Sequence, residues 1–176
     1  PYDIPNTDIS IETVDAFVLK VSGDIHSWYG TAKYNPELYG MIYYDSLSGE
    51  LAFTEPLKGY MDWSPPMSPE EFDEMFDKNR LINSFSTVPR RRLRSDYWYI
   101  ARYHTHQECE PASYHFWNPM HGDHGAMLDS QKLPGRQPET LVNYVIRGDG
   151  IIDRLNMVAQ QSEGYYWKKT IRRDKK

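Results

Sequence analysis

The sequence predicts an α+β domain. Helical and strand-like segments both occur, they do not alternate as regular βαβ units, and the aromatic content of 14%, led by 14 Tyr, favours sheet. A length of 176 residues suits one domain with its own hydrophobic core. Apolar residues at 39% and charged residues at 26% exclude a disordered chain. No apolar run approaches the ~18 residues of a membrane helix, and no basic-then-apolar signal segment opens the chain. The start at Pro1 is compatible with release from a longer, secreted polypeptide. The single cysteine, Cys109, excludes an internal disulfide and a four-cysteine zinc site.

Residues 9–21 carry Ile11, Val14, Phe17 and Val18 at helical spacing, with Asp8 or Ser10 as cap. Two short aromatic and β-branched runs, 39–44 and 50–55, flank the loop Asp45-Ser-Leu-Ser-Gly49 and predict a β-hairpin. Pro56 ends its second strand, because proline has no N–H for the ladder. Ser68-Pro-Glu-Glu71 is a helix start: serine caps, proline suits the first turn, and Glu71 completes a capping box. That helix is expected to run to about Asn79. The strongest strand is 96–104, followed by a short helix near 123–131. Two strands, 141–147 and 151–156, are joined by Gly148-Asp149-Gly150, and a last strand covers 164–171. The chain 1–176 thus reads as a single domain, with a core over about 10–156 and a C-terminal strand and basic tail over 157–176.

Charge is unevenly spread. Residues 1–80 hold 15 acidic and 5 basic side chains, a net of −10, whereas residues 81–176 hold 10 and 15, a net of +5. The overall charge of −5 argues against tracking nucleic-acid phosphates, even with the basic run Arg90, Arg91, Arg92 and Arg94.

Five of the six histidines (His104, His106, His115, His121, His124) fall within 21 residues. His104 and His106 close the strong strand, and side chains two apart in a strand share a face, so two imidazoles stand together. Strict alternation would put Trp98, Ile100 and Arg102 on that face as well. A catalytic zinc takes three protein ligands and leaves one position open. Asp123, His121 and His124 are available as the third, with Asp123 preferred at the start of a helix. On the pair alone, incidental surface histidines are as good a reading as a metal site.

Upstream, Glu37-Leu-Tyr-Gly40-Met-Ile42 sets an acidic residue at the mouth of an apolar strand. The order of Glu37, His104-Thr105-His106 and Asp123, with the downstream hairpin Tyr144-Val-Ile-Arg-Gly-Asp-Gly-Ile-Ile-Asp153, resembles the JAMM/MPN metallopeptidase family. The run from Tyr39 to Leu57 is similar to bacterial members attached to secreted toxins. The resemblance spans roughly residues 10–156 and implies a curved mixed sheet flanked by helices. It implies Zn2+ held by His104, His106 and Asp123, with Glu37 as general base in hydrolysis of an amide or isopeptide bond. A protein or peptide substrate follows, as does a cognate inhibitor protein if the domain is a toxin.

Two departures bear on activity. Gln107 stands where the family has proline, and Met120 stands where it has the serine that holds the tetrahedral intermediate. Asn118 is the nearest polar replacement and the candidate for that catalytic role. The alternative is a catalytically inactive interaction module on the same fold. A cupin-type metal protein is a third reading, since His104, His106 and Glu110 match that family's ligand spacing, although the glycines that should flank the motif are missing.

Overall fold

The first helix begins where a local signal puts it. Ser10 accepts the Thr13 N–H through both its carbonyl (3.1 Å) and its hydroxyl (3.3 Å), satisfying a donor the helix cannot. In the computed structural model, residues 9–29, 37–59, 67–78, 80–83, 93–106, 140–158 and 166–172 are described. Helix α1 covers Ile11–Tyr29. It continues past residue 21 because its buried stripe does too, through Val21, Ser22 and Ile25. Asp15 lies within that stripe. Its carboxylate accepts from the Tyr144 hydroxyl at 2.7 Å and from the Arg154 guanidinium at 2.5 Å, and all three side chains are buried. This charge-assisted triad ties the helix to the sheet.

Strands β1 (Leu38–Asp45) and β2 (Glu50–Thr54) form the expected hairpin. Gly49 takes φ of 74° at its turn, and the Asp45 carboxylate accepts from the Leu47 N–H at 3.0 Å. The second strand ends at Thr54, just ahead of Pro56, as expected. The chain resumes as β3 (Leu57–Lys58) against Leu38 and Tyr39 of β1. Helix α2 (Pro69–Asp77) has the full capping box: the Ser68 hydroxyl accepts from the Glu71 N–H, and the Glu71 carboxylate accepts from the Ser68 N–H. A strand the sequence does not announce, β4 (Leu81–Asn83), pairs with β2. At three residues it is too short to show periodicity.

After a single 3₁₀ turn at Arg94–Asp96 come β5 (Tyr97–His106), β6 (Thr140–Arg147), β7 (Ile151–Val158) and β8 (Tyr166–Arg172). The sheet has eight strands among the described residues, in the order β4-β2-β1-β5-β6-β7-β8 with β3 beside β1. Only the β5–β6 pairing is parallel among these ladders. Among the described residues the fold is thus α+β with a mixed sheet and two α-helices. The C-terminal strand, set apart in the sequence from the 10–156 core, is a full member of that sheet. No described helix is long and apolar enough to cross a membrane. The helix expected near 123–131 lies outside the described residues.

Each face of the sheet carries its own core. Helix α1 packs with Leu38, Ile42, Phe53, Ile100, Ala101, Tyr103 and Tyr144. Helix α2 brings Phe72 and Met75 against Tyr39, Met41, Tyr43, Tyr97, Tyr99 and Val145. The membership of β5 residues corrects the strict alternation expected there. The β1–β5 register slips between Ile42 and Tyr43: Ile42 faces Ala101, but Tyr43 faces Tyr99. Ile100 is the extra residue of a β-bulge, so parity reverses across it. Odd-numbered Tyr97 and Tyr99 therefore share the α2 face with even-numbered His104, while Ile100 belongs to the α1 side. The expectation that Ile100 stands beside the histidines is thus replaced by a face built from the tyrosines.

Candidate functional site

The end of β5 brings two imidazoles into contact. His104 Nε2 lies 3.1 Å from His106 Nε2, with ring centroids 4.9 Å apart. Both residues are buried, at 2% and 5% exposure. Between them Thr105 points to the other face and has its own task. Its hydroxyl accepts the Leu38 N–H at 2.9 Å, pinning the first residue of β1 to the strand that carries the histidines.

That contact and the ladder place Glu37. Tyr39 is opposite His104 in the antiparallel β1–β5 register, so Glu37 falls opposite His106. Its carbonyl accepts the Gly59 N–H at 2.6 Å, which holds the backbone from the β3 side. The Glu37 carboxylate, 3% exposed, has Oε1 4.0 Å from His106 Nε2. This is beyond a hydrogen bond and within the reach of ion pairing. Residues 67 positions apart and more are thereby joined by one pair of strands.

The parallel neighbour β6 supplies a fourth group. Asn143 Oδ1 is 3.2 Å from His104 Nδ1, and Asn143 has no exposed surface. Its amide nitrogen is buried with no hydrogen-bond partner among the described residues. Val145, two residues on and on the same face, belongs to the α2-side core, which locates the whole site on that face of the sheet. Asn143 escaped the sequence reading, yet a signal was present: a lone amide inside the apolar run Leu-Val-Asn-Tyr-Val-Ile is a buried polar group that needs a partner. Arg102, also on the histidine face by alternation, is 1% exposed and acts as part of the sheet's interior.

The histidine pair suits one small cation. Two nitrogens bound tetrahedrally at about 2.0–2.1 Å from zinc lie about 3.3 Å apart, close to the separation here. An Nδ1–H on His104 pointing at the Asn143 oxygen would leave Nε2 with a lone pair, the state a ligand needs. Among the described residues no group of three His, Cys, Asp or Glu gathers for a metal. The third-ligand candidates Asp123, His121 and His124, the candidate Asn118, and Met120, Gln107 and Glu110 all lie outside the described residues. Of the five residues the sequence singled out as a site, the structure thus brings together Glu37, His104 and His106.

A shallow cleft of about 250 Å³ opens on the same face, lined by Tyr39, Leu57, Lys58, Glu71, Glu74, Met75 and Arg80. Tyr39, the cross-strand neighbour of His104, forms one wall and donates its hydroxyl to Glu71 at 3.3 Å. Comparison of the chain with protein-family models, with curated proteins and with solved structures returns no match.

Proposed function

We propose that the chain is a zinc-dependent hydrolase of JAMM/MPN type that cleaves an amide or isopeptide bond, with a protein or peptide as substrate. The observation that carries this reading is the buried trio itself: two imidazole nitrogens 3.1 Å apart and a carboxylate 4.0 Å from one of them. The trio arises from the order acidic residue, strand, His-x-His strand that the family resemblance required. A mixed sheet with a helix on each face is compatible with that fold. The toxin context, and with it a cognate inhibitor protein, belongs to the same proposal.

His104 and His106 would hold the metal, with Asp123 as the proposed third ligand. Bound there, zinc would supply Lewis acidity and make a water nucleophilic near neutral pH. Glu37 takes the proton of the attacking water and returns it to the leaving amine, so its carboxylate acts as base and then as acid. Burial of the trio excludes bulk water and strengthens each electrostatic contact. Asn118 is the proposed donor to the developing oxyanion, in place of the family serine. The cleft walled by Tyr39, the cross-strand neighbour of His104, is the proposed seat of the substrate chain on this face.

The test is metal content together with turnover. Purified wild-type protein is expected to carry about one zinc per chain, and His106→Ala to lose it. Glu37→Gln should retain the metal while hydrolysis of peptide or isopeptide substrates falls by roughly 10²–10⁴-fold. A wild-type protein that neither contains nor takes up a divalent metal sinks the proposal. A cupin site would be indifferent to the loss of the Glu37 carboxylate. Stoichiometric zinc without turnover on any peptide or isopeptide would leave the inactive interaction module.

A further inference from the structure

The last residues of the two parallel strands stand side by side on the histidine face. His106 closes β5, Arg147 closes β6, and the ladder makes them register partners. Partners in a ladder project to the same side of the sheet, with the strands roughly 4.8 Å apart. Resting on the site reading above, we infer that Arg147 is a specificity-determining residue that binds a carboxylate of the substrate beside the bond to be cleaved. A second arginine, Arg102, is on the same face, but at 1% exposure it belongs to the interior. The Arg147 side chain keeps 14% exposure, so of the two it is the one a ligand can reach.

The fold holds this guanidinium in place and leaves part of it unused. Nη2 donates to Asp149 Oδ2 at 2.7 Å, and Asp149 Oδ1 accepts the Ile151 N–H at 3.1 Å. Asp149 stands in the turn between β6 and β7, where Gly150 takes φ of 88°, so the clamp is built into the turn that ends β6. An arginine offers five N–H donors in a planar fork. Nε is buried without a hydrogen-bond partner among the described residues. A desolvated donor with no acceptor costs stability, and the side chain therefore has donors to spare. A carboxylate answers such a fork best, because its two oxygens match two parallel N–H groups and its charge is opposite. Two kinds of substrate carry one beside the scissile bond: a peptide that ends there in a free C-terminus, and a chain with Asp or Glu at that position. A residue that only braced the β6–β7 turn would alter stability and leave ligand preference alone.

The experiment is titration calorimetry on the full chain with zinc added, using three probes. These are acetyl-Ala-Ala as the free acid, the same peptide as its C-terminal amide, and acetyl-Ala-Glu as its C-terminal amide. At least one carboxylate probe is expected to bind about 10–100-fold more tightly than the neutral amide. Preference for the free acid identifies a C-terminal carboxylate as the source, and preference for the Glu amide identifies a side chain. Zinc itself attracts carboxylates, and Arg147→Met separates the two effects: it should remove the preference while zinc content is unchanged. Arg147→Lys keeps the charge without the fork and should recover only part of it. If Arg147→Met does not fold, the wild type and Arg147→Lys still decide. Equal binding of the three probes by the wild type, or binding of none, overturns the inference. So does a preference that persists undiminished in Arg147→Lys or in a folded Arg147→Met. Zinc uptake and peptide hydrolysis without any carboxylate preference overturn this inference alone. A preference that depends on Arg147 in a protein that takes up no zinc supports the role of Arg147 and overturns the hydrolase reading instead.

Discussion

A Cβ placed on Gly40 would lie 2.4 Å from the Tyr103 hydroxyl oxygen and 2.6 Å from Thr54 Oγ1, and neither neighbour is free to retreat. The Tyr103 hydroxyl donates to the Thr54 carbonyl at 2.6 Å, and Thr54 Oγ1 accepts the Met41 N–H at 2.9 Å. Gly40 is thus required by a tyrosine that crosses over it, at the cross-strand position the register assigns. Gly40→Ala should lower stability by about 1–3 kcal/mol, the usual range for overpacking, read as a fall in the urea midpoint. An unchanged midpoint would show that Tyr103 has another resting place. In the sequence this glycine stands out only as part of Glu37-Leu-Tyr-Gly40, three residues from the candidate base. The tyrosine that makes it necessary is 63 residues further along the chain. Thr105 is a similar case. It sits between two histidines that draw the eye, and its own contribution, a hydrogen bond to Leu38 N–H, emerges only once β1 and β5 pair.

Helices α1 and α2 both bury apolar side chains against the sheet, but the starts of the two differ in how much a local device contributes. Helix α2 starts at a full capping box, and Ser68→Ala should cost about 1 kcal/mol by removing the hydroxyl that accepts from Glu71 N–H. The effect should be confined to stability, since the cap touches no part of the histidine pair. Helix α1 buries Ile11, Val14, Phe17, Val18, Val21 and Ile25, each worth roughly 1.5–3 kcal/mol when fully removed from water. Its one buried carboxylate, Asp15, receives Tyr144 and Arg154. Asp15→Ala is expected to be far more damaging than Ser68→Ala, about 3–5 kcal/mol, because it breaks a buried charge pair. Thermal melts of the two variants side by side would check that order, and equal losses would contradict it. The α2 start was legible because a capping box is a contiguous signal. The bulge at Ile100 was not, because the alternation rule carries no warning of a register slip imposed by a neighbouring strand.

The acidic first part of the chain supplies both helices and β1–β3, and the rest supplies β4–β8, so the sheet joins the segments of opposite net charge. Among the buried groups at this level are two tyrosines whose ionisation the fold opposes. Burial pushes the Tyr43 and Tyr103 hydroxyls well above their ordinary value of 10.0, and at Tyr43 nearby Tyr99 and Asp73 add to the shift. In the unfolded chain these groups lose their protons near pH 10, while in the folded protein they keep them. The unfolded state then binds fewer protons, so stability is intact below about pH 10 and falls as pH rises beyond it, by up to about 1.4 kcal/mol per pH unit for each tyrosine. Urea midpoints measured on both sides of that pH should drop on the alkaline side, and less steeply in Tyr103→Phe. A flat profile would mean that the two hydroxyls ionise in place. Residue order alone was enough to identify an α+β chain, the hairpins, the helix start at Ser68 and two imidazoles on one side of a strand, because each depends on neighbours within a few positions. Tertiary structure alone decided that Glu37 stands opposite His106, that Asn143 reaches His104, and that tyrosines rather than Ile100 share their face. These are matters of strand register between distant segments, and register is set by how whole faces bury against α1 and α2, which no local pattern encodes.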